Sequence, residues 1–147
     1  MEPMELLKPM ELPKPLNTLT PKRPMPQKKV LVVDDDPKNI FALVATLRSK
    51  GFATASATSA EEGIALLLQD NDIGIVLLDM MMPDMDGYQA ISVIRAHENL
   101  RSLPLVAVTA QAMKGDQEKC LEAGADAYIS KPIDVDHLLS TLNHYLN

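Results

Sequence analysis

Ile75-Val76-Leu77-Leu78-Asp79-Met80-Met81-Met82-Pro83 is the stretch that decides the fold. Its dense apolar run reads as a strand buried on both faces, the kind found in parallel sheets. Asp79 stands where the run ends, so it belongs at the carboxyl edge of the sheet. That edge is where open α/β folds bind ligands and do chemistry. Working outward, Val30-Leu31-Val32-Val33 ends in Asp34-Asp35-Asp36, Leu105-Val106-Ala107-Val108 ends in Thr109, and Ala127-Tyr128-Ile129-Ser130 ends in Lys131-Pro132. Four strands thus deliver acid, acid, hydroxyl and amine to one edge, a set that suits a divalent cation and a phosphoryl group.

Helical patterns alternate with these strands. Ile40, Leu43, Val44 and Leu47 recur at helical spacing, which predicts a helix over about 37–50, with Pro37 in its first turn and Gly51 at its end. Phe52-Ala53-Thr54-Ala55-Ser56 is a weak strand that suits a sheet edge. Ser59 and Glu62 form a capping box before Ile64, Leu67 and Leu68, and Asp86 with Gln89 opens a helix running to about His97. A helix over 113–123 closes at Gly124. Asp134 caps a last helix with Val135, Leu138, Leu139, Leu142 and Leu146 on one face. Five strand–helix units predict a parallel sheet covered on both sides, with a crevice where the strand order reverses.

Composition narrows the function classes. A chain of 147 residues suits one domain, and with no Trp its interior must be built from aliphatic side chains and Met. One cysteine, Cys120, rules out an internal disulfide and fits a reducing compartment; it reads as a small, partly buried helix residue. Residues 1–29 carry six Lys/Arg and three Glu, a net of +3, while residues 30–147 carry eight Lys/Arg and seventeen acids, a net of −9. An acidic body argues against nucleic-acid binding. The sequence has no apolar run of the ~20 residues that span a bilayer, and no secretory signal, so a cytoplasmic protein is expected. Residues 1–28 hold seven of the eleven prolines and no glycine, with a near repeat, Met4-Glu5-Leu6-Leu7-Lys8-Pro9 and Met10-Glu11-Leu12-Pro13-Lys14-Pro15. They read as a Pro-rich disordered leader or linker, with the domain proper at 29–147.

The acids carry the chemistry. Three carboxylates within ~5 Å repel by about 3 kcal/mol per pair at an effective dielectric near 20, so counter-charge is required. Lys131 supplies one positive charge, and a hard cation such as Mg²⁺, which takes carboxylate oxygens, supplies two. Asp36, ahead of Pro37, reads instead as a helix cap. Asp79 is a carboxylate of the kind that forms aspartyl-phosphates. Thr109 and Lys131 would receive the phosphoryl oxygens, and a new dianion at Asp79 would draw Thr109 inward.

Taken in order, Val32-Val33-Asp34-Asp35-Asp36-Pro37, Leu77-Leu78-Asp79-Met80-Met81-Met82-Pro83-Asp84-Met85-Asp86-Gly87, Ala107-Val108-Thr109-Ala110 and Tyr128-Ile129-Ser130-Lys131-Pro132 resemble the receiver domains of two-component response regulators, the CheY-like family. The resemblance covers residues 29–146 and none of 1–28. It implies a flavodoxin-like (βα)5 sheet of order 2-1-3-4-5. It makes Asp79 the phosphoacceptor, Asp34 and Asp35 the acidic pair for Mg²⁺, and the Met81 main-chain carbonyl a further metal ligand. Thr109 becomes the switch hydroxyl, Tyr128 the aromatic that changes rotamer, and Lys131 the phosphate-contacting lysine before a cis Lys131–Pro132 bond. Met81 and Gln111 stand where the family tunes dephosphorylation, and neither is a carboxylate, which implies a long-lived phosphoryl state. The stretch from Thr109 to Gly124 is similar to receivers of hybrid histidine kinases and of stand-alone regulators. The partners implied are a sensor histidine kinase or histidine phosphotransfer protein upstream and a protein target on the 110–146 face. With the chain ending at Asn147, output by protein contact is expected. His97, His137 and His144 read as surface or packing residues.

Three rivals fare worse. An Asp-nucleophile phosphohydrolase would want its D-x-D-G signature directly after a strand, but Asp84-Met85-Asp86-Gly87 follows Pro83, and Met81 stands where Asp79 would need a second acid. A nucleotide or flavin module would want a glycine- or hydroxyl-rich loop after the first strand, where this chain has three acids. An interaction module working unphosphorylated would have no need of the intact acid–hydroxyl–lysine set.

Overall fold

The computed structural model describes residues 28–83, 85–110 and 114–146. The leader proposed for 1–28 therefore lies outside the described residues except for Lys28, as do Asp84, Gln111 and the helix start expected at Met113. In chain order the elements are β1 (Lys29–Val33), α1 (Pro37–Ser49), β2 (Ala53–Ala57), α2 (Ala60–Gln69), β3 (Ile73–Asp79), α3 (Gly87–Ala96), β4 (Leu105–Thr109), α4 (Lys114–Ala123), β5 (Ala127–Ser130) and α5 (Val135–Leu146). A 3-10 turn, Glu98–Leu100, follows α3. The sheet has five strands, paired in parallel in the order β2-β1-β3-β4-β5.

Strand parity divides the core in two. Side chains alternate across a pleated sheet with period two. Val30, Val32, Ile75, Leu77, Val106, Val108 and Ile129 pack with Leu47 of α1 and with Leu138 and Leu142 of α5. Leu31, Val33, Val76, Leu78, Leu105 and Ala107 pack on the other face with Leu67 of α2, Ile91 and Ile94 of α3, and Cys120 of α4. The dense apolar runs are dense because both faces of these strands are covered. The weak second strand is the sheet's edge, and its residues are mostly half-buried.

Local signals act largely as expected. The Asp36 carboxylate accepts the Lys38 N–H at 2.9 Å and caps α1. Asp86 and Gln89 form a reciprocal capping box on α3. The Asp134 carboxylate accepts the Asp136 N–H at 3.0 Å at the start of α5. Gly51 and Gly124, just beyond α1 and α4, hold the positive φ of +93° and +125° that such helix ends favour.

Three expectations are corrected. The Ser59 hydroxyl caps α2, but the Glu62 carboxylate turns to the Thr58 N–H and hydroxyl (2.8 and 3.1 Å), so the box is not reciprocal. Leu68 and Val135 are 47% and 39% exposed, at the margins of their helices' apolar faces. Cys120 is fully rather than partly buried, with its thiol 3.9 Å from the Tyr88 hydroxyl.

The amino edge of the sheet is tied by a single guanidinium. Arg95 of α3 donates to the main-chain carbonyls of Gly124 (2.9 and 3.1 Å), Leu100 (2.7 Å), Arg101 (3.1 Å) and Leu103 (2.8 Å), and pairs with Asp126 at 3.1 Å. The Asp126 carboxylate also accepts the Leu105 N–H at 2.9 Å, and its carbonyl accepts the Tyr145 hydroxyl at 3.2 Å. The starts of β4 and β5 and the ends of α3, α4 and α5 are joined at this point.

Candidate functional site

The site is assembled by register. Val33 pairs with Leu78, so Asp34 and Asp79, each one residue further, stand side by side. Asp79 pairs with Val108, and Thr109 with Ser130, which sets Thr109 and Lys131 at the same edge. Backbone bonds fix these ends: Asp34 N–H to Ala57 O at 3.1 Å, Met80 N–H to Val108 O at 3.0 Å, and Lys131 N–H to Thr109 O at 2.9 Å.

One carboxylate oxygen from each of Asp34, Asp35 and Asp79 lies within 4.8 Å of the others. Asp34 and Asp79 are buried while Asp35 is exposed. The Lys131 ammonium stands 3.6 Å from Asp79 and 3.8 Å from Asp34. Asp34 Oδ1 accepts the Asp36 N–H at 2.9 Å, and Asp79 Oδ1 accepts the Met81 N–H at 3.0 Å. Burial is the largest influence on Asp34 and pushes its carboxyl above the ordinary range. The Asp36 N–H pulls it down, the Asp79 charge pushes it up, and Lys131 pulls it down again. Three carboxylates against one ammonium leave a net of −2, and hard oxygen donors at this spacing are what a small divalent cation takes. The donor set therefore fits such an ion.

Parity sorts the sequence-predicted residues into two groups. Asp34, Asp79 and Lys131 continue the alternation of Val32, Leu77 and Ile129, on the α1 and α5 face. Thr109 and Tyr128 follow Ala107 and the opposite face, where Tyr128 packs half-buried against the α2–α3–α4 core. Thr109 itself is buried. The Met81 side chain is half-exposed beside Asp79, on a loop closed by the Gly87 N–H on Met80 O at 3.2 Å. Gly87 is needed there: an added Cβ would run into the Met80 sulfur and stand 2.7 Å from Met80 Cα. The Lys131–Pro132 bond is cis. His137 and His144 are exposed on α5, and His97 ends α3.

A feature absent from the sequence reading is a cleft of about 320 Å³ between α1 and the segment before α5. Asn39, Ala42, Leu43 and Thr46 line one wall and Pro132, Ile133 and Val135 the other, while Asp34, Asp79 and Lys131 lie at one end. No periodicity announces it, because its walls are far apart in sequence. The exposure of Val135 at the start of an otherwise apolar helical stripe is its only trace.

No helix of the described residues is long and apolar enough to cross a membrane. The family model for the response regulator receiver domain matches residues 30–143. The chain is 34% identical over 119 residues to the polar-differentiation response regulator DivK of Brucella ovis, covering 81% of this chain and 96% of that one. It is 33% identical to the receiver domain of a sensor histidine kinase of Pseudomonas aeruginosa (TM-score 0.75; 82% of this chain, 98% of that one), whose crystal structure has a magnesium ion coordinated in the active-site cleft. A response regulator receiver protein from Pseudomonas putida is 30% identical (TM-score 0.76; 82% and 98%). The chemotaxis protein CheY4 of Vibrio cholerae, 24% identical with a TM-score of 0.77 over 82% of this chain and 100% of that one, shares the fold. With a sheet of this order and an acid cluster at its carboxyl edge, the chain belongs to the response regulator receiver domain family.

Proposed function

We propose that the chain is a single-domain response regulator in which Asp79 accepts a phosphoryl group from a histidine kinase or histidine phosphotransfer protein. The observation that carries this reading is the cluster of Asp34, Asp35 and Asp79 within 4.8 Å, with one lysine 3.6 Å from Asp79. Asp34, Asp35, Asp79 and the Met81 main-chain carbonyl would hold Mg²⁺. That ion supplies charge neutralisation for the carboxylate nucleophile and the incoming phosphoryl oxygens. An Asp79 oxygen attacks phosphorus, the bond to the donor imidazole nitrogen breaks, and the donor leaves with the electron pair of that bond. Lys131 donates hydrogen bonds and charge to the transferred oxygens. The Met81 N–H orients the Asp79 carboxylate through its 3.0 Å bond.

Thr109 and Tyr128 lie on the α2–α3–α4 side of the sheet and read the result: a dianion at Asp79 draws the Thr109 hydroxyl toward it, and Tyr128 changes rotamer behind it. The altered surface is the one made by residues 110–146, and a protein target binds there. The protein works as a switch in the cytoplasm rather than as a turnover enzyme, without nucleic acid or membrane as its partner. Residues 1–28 are read as a Pro-rich leader and 29–147 as the receiver domain.

Intact mass after incubation with acetyl phosphate and Mg²⁺ tests this directly. A gain of one phosphoryl group, lost in Asp79→Asn and in EDTA, is expected. Labelling that persists in Asp79→Asn would move the acceptor elsewhere. No labelling from either acetyl phosphate or a phosphorylated phosphotransfer protein would favour an interaction module that works unphosphorylated.

A further inference from the structure

The near repeat of the leader has a period that phosphoryl transfer does not use. Taken three residues at a time, Met4, Leu7, Met10, Pro13 and Leu16 fall on one edge and Leu6, Pro9, Leu12 and Pro15 on a second. Glu5, Lys8, Glu11 and Lys14 fall on the third. Three residues per turn is the period of polyproline II, the conformation that a Pro-rich segment favours. In that form the segment is a strip with two apolar edges and one polar edge, and it fits a trough with two apolar walls open to water above. The cleft of about 320 Å³ is such a trough, with Ala42 and Leu43 on the α1 wall and Pro132, Ile133 and Val135 on the other. Its polar wall groups suit the same guest. Polyproline II leaves its carbonyls free, and Asn39 brings a side-chain amide that can donate to one. The Thr46 hydroxyl already donates to the Ala42 carbonyl at 3.0 Å.

The chain delivers the leader to this face. Lys28 and Leu146 of α5 share the space beside Gly74, where an added Cβ would stand 2.6 Å from Lys28 Cβ and 3.0 Å from Leu146 Cδ2. Leu146, Leu139 and Val135, half-buried or exposed, recur on one side of α5 and lead from that point to the cleft. The 12 residues of α5 cover about 18 Å at ~1.5 Å each, and residues 17–27 reach about 34 Å at ~3.1 Å each. We propose that residues 10–16 dock in this cleft of their own chain as a polyproline II strip. Leu12 and Pro15 meet one wall, Pro13 and Leu16 the other, and Lys14 faces water. The acids at the end of the cleft stay with their divalent cation, because the two apolar edges, not a charge, select the guest. The short tether holds the segment at an effective concentration of about millimolar, so weak contacts suffice.

The test is amide-resolved NMR of the full chain in saturating Mg²⁺, which keeps the acid cluster filled. Leu12→Asp with Leu16→Asp removes one residue from each apolar edge. The amides of Ala42, Thr46, Ile133 and Val135 should then shift, while those of Val93 and Leu103, on the α3 side, stay in place. Lys14→Gln, on the polar edge, should leave the cleft amides at their wild-type positions. Ala42→Trp and Val135→Trp fill the trough from opposite walls at exposed positions. At least one should move the Leu12, Lys14 and Leu16 amides to the positions they take in a free peptide of residues 1–27. Cleft amides that ignore the double variant, equal shifts from Lys14→Gln, or leader amides that ignore both Trp variants would each overturn the proposal. Shifts that grow with protein concentration would overturn it too, giving the cleft to the leader of a second copy. Docking needs no phosphate, so its failure leaves the phosphoacceptor reading, tested by mass, untouched.

Discussion

The two edges of the sheet each bring a lysine to aspartate, with opposite results. At the amino edge Lys29 and Asp70 meet at 2.7 Å, one cation with one anion. At the carboxyl edge Lys131 stands 3.6 Å from Asp79 and 3.8 Å from Asp34, with Asp35 unneutralised beside them. The first pair is closed and adds modestly to stability, as surface pairs do. The second is open: its charge is unbalanced, two of its acids are buried, and its lysine is at arm's length. The lesson is that a satisfied ion pair belongs to the structure, while a stretched and under-neutralised one marks a place kept for another ion or group.

The sharpest way to widen this contrast is to add the missing charge. Mg²⁺ at about a hundred times its Kd should raise the unfolding free energy by about 2.7 kcal/mol. The gain should vanish in Asp35→Asn, as read by thermal melts with and without EDTA. Next in size, Lys131→Met in EDTA should destabilise by about 2 kcal/mol: it removes the cation from a largely buried cluster, and the lysine's partial exposure keeps the loss below that of a fully buried pair. Asp79→Asn in EDTA should act the other way, stabilising by about 1 kcal/mol: it removes two carboxylate repulsions and one lysine attraction. A destabilised Asp79→Asn would mean that the carboxyl edge is as closed as the amino edge.

The smallest effect belongs to the amino edge, where neutralisation should cost stability. Asp70→Asn should lower the melting temperature slightly at neutral pH. The Lys29 ammonium, by hydrogen bond and charge, holds the Asp70 carboxyl below its ordinary 3.8, so its contribution is present above that value and lost as pH falls through the lower folded one. Lys29 is held above its ordinary 10.5 by the same bond, so its contribution is present below that value and lost as pH rises through the higher folded one. The difference between wild type and Asp70→Asn should be flat between these limits and shrink outside them. A difference centred near neutral pH would place the pair's partners elsewhere.

Much of this was legible in the residues. The runs at 30–33, 75–78 and 105–108 announced doubly covered strands, and the acids, threonine and lysine after them announced the edge. Caps at Asp36, Asp86 and Asp134 could be read because a short side chain bonds its own backbone a few residues on. What stayed hidden depends on contacts distant in sequence. Arg95 was unremarkable because its partners are mostly main-chain carbonyls, which any residue carries. The cleft was invisible because α1 and the segment before α5 share no pattern. Leu68 and Val135 looked like core because helical spacing gives a face but not its margin. Glu62 shows the same limit at a single bond: the capping-box spacing was present, and Thr58 offered its carboxylate another donor.

The parity that divides the core also governs how such a protein can drift in evolution. Loops of this fold can lengthen without moving the acids, and β3 itself carries an extra residue at its start, where Lys29 pairs with Ile73 but Val30 with Ile75; from Ile75 to Asp79, however, the strand has no room for a shift. A one-residue slip would turn Asp79 away from Asp34 and Lys131 and toward the side of Thr109 and Tyr128, exchanging every buried side chain of the strand at the same time. An insertion or deletion between Ile75 and Asp79 should therefore cost the core and the acid cluster together. Across divergent relatives, strand length here should be a sterner constraint than residue identity.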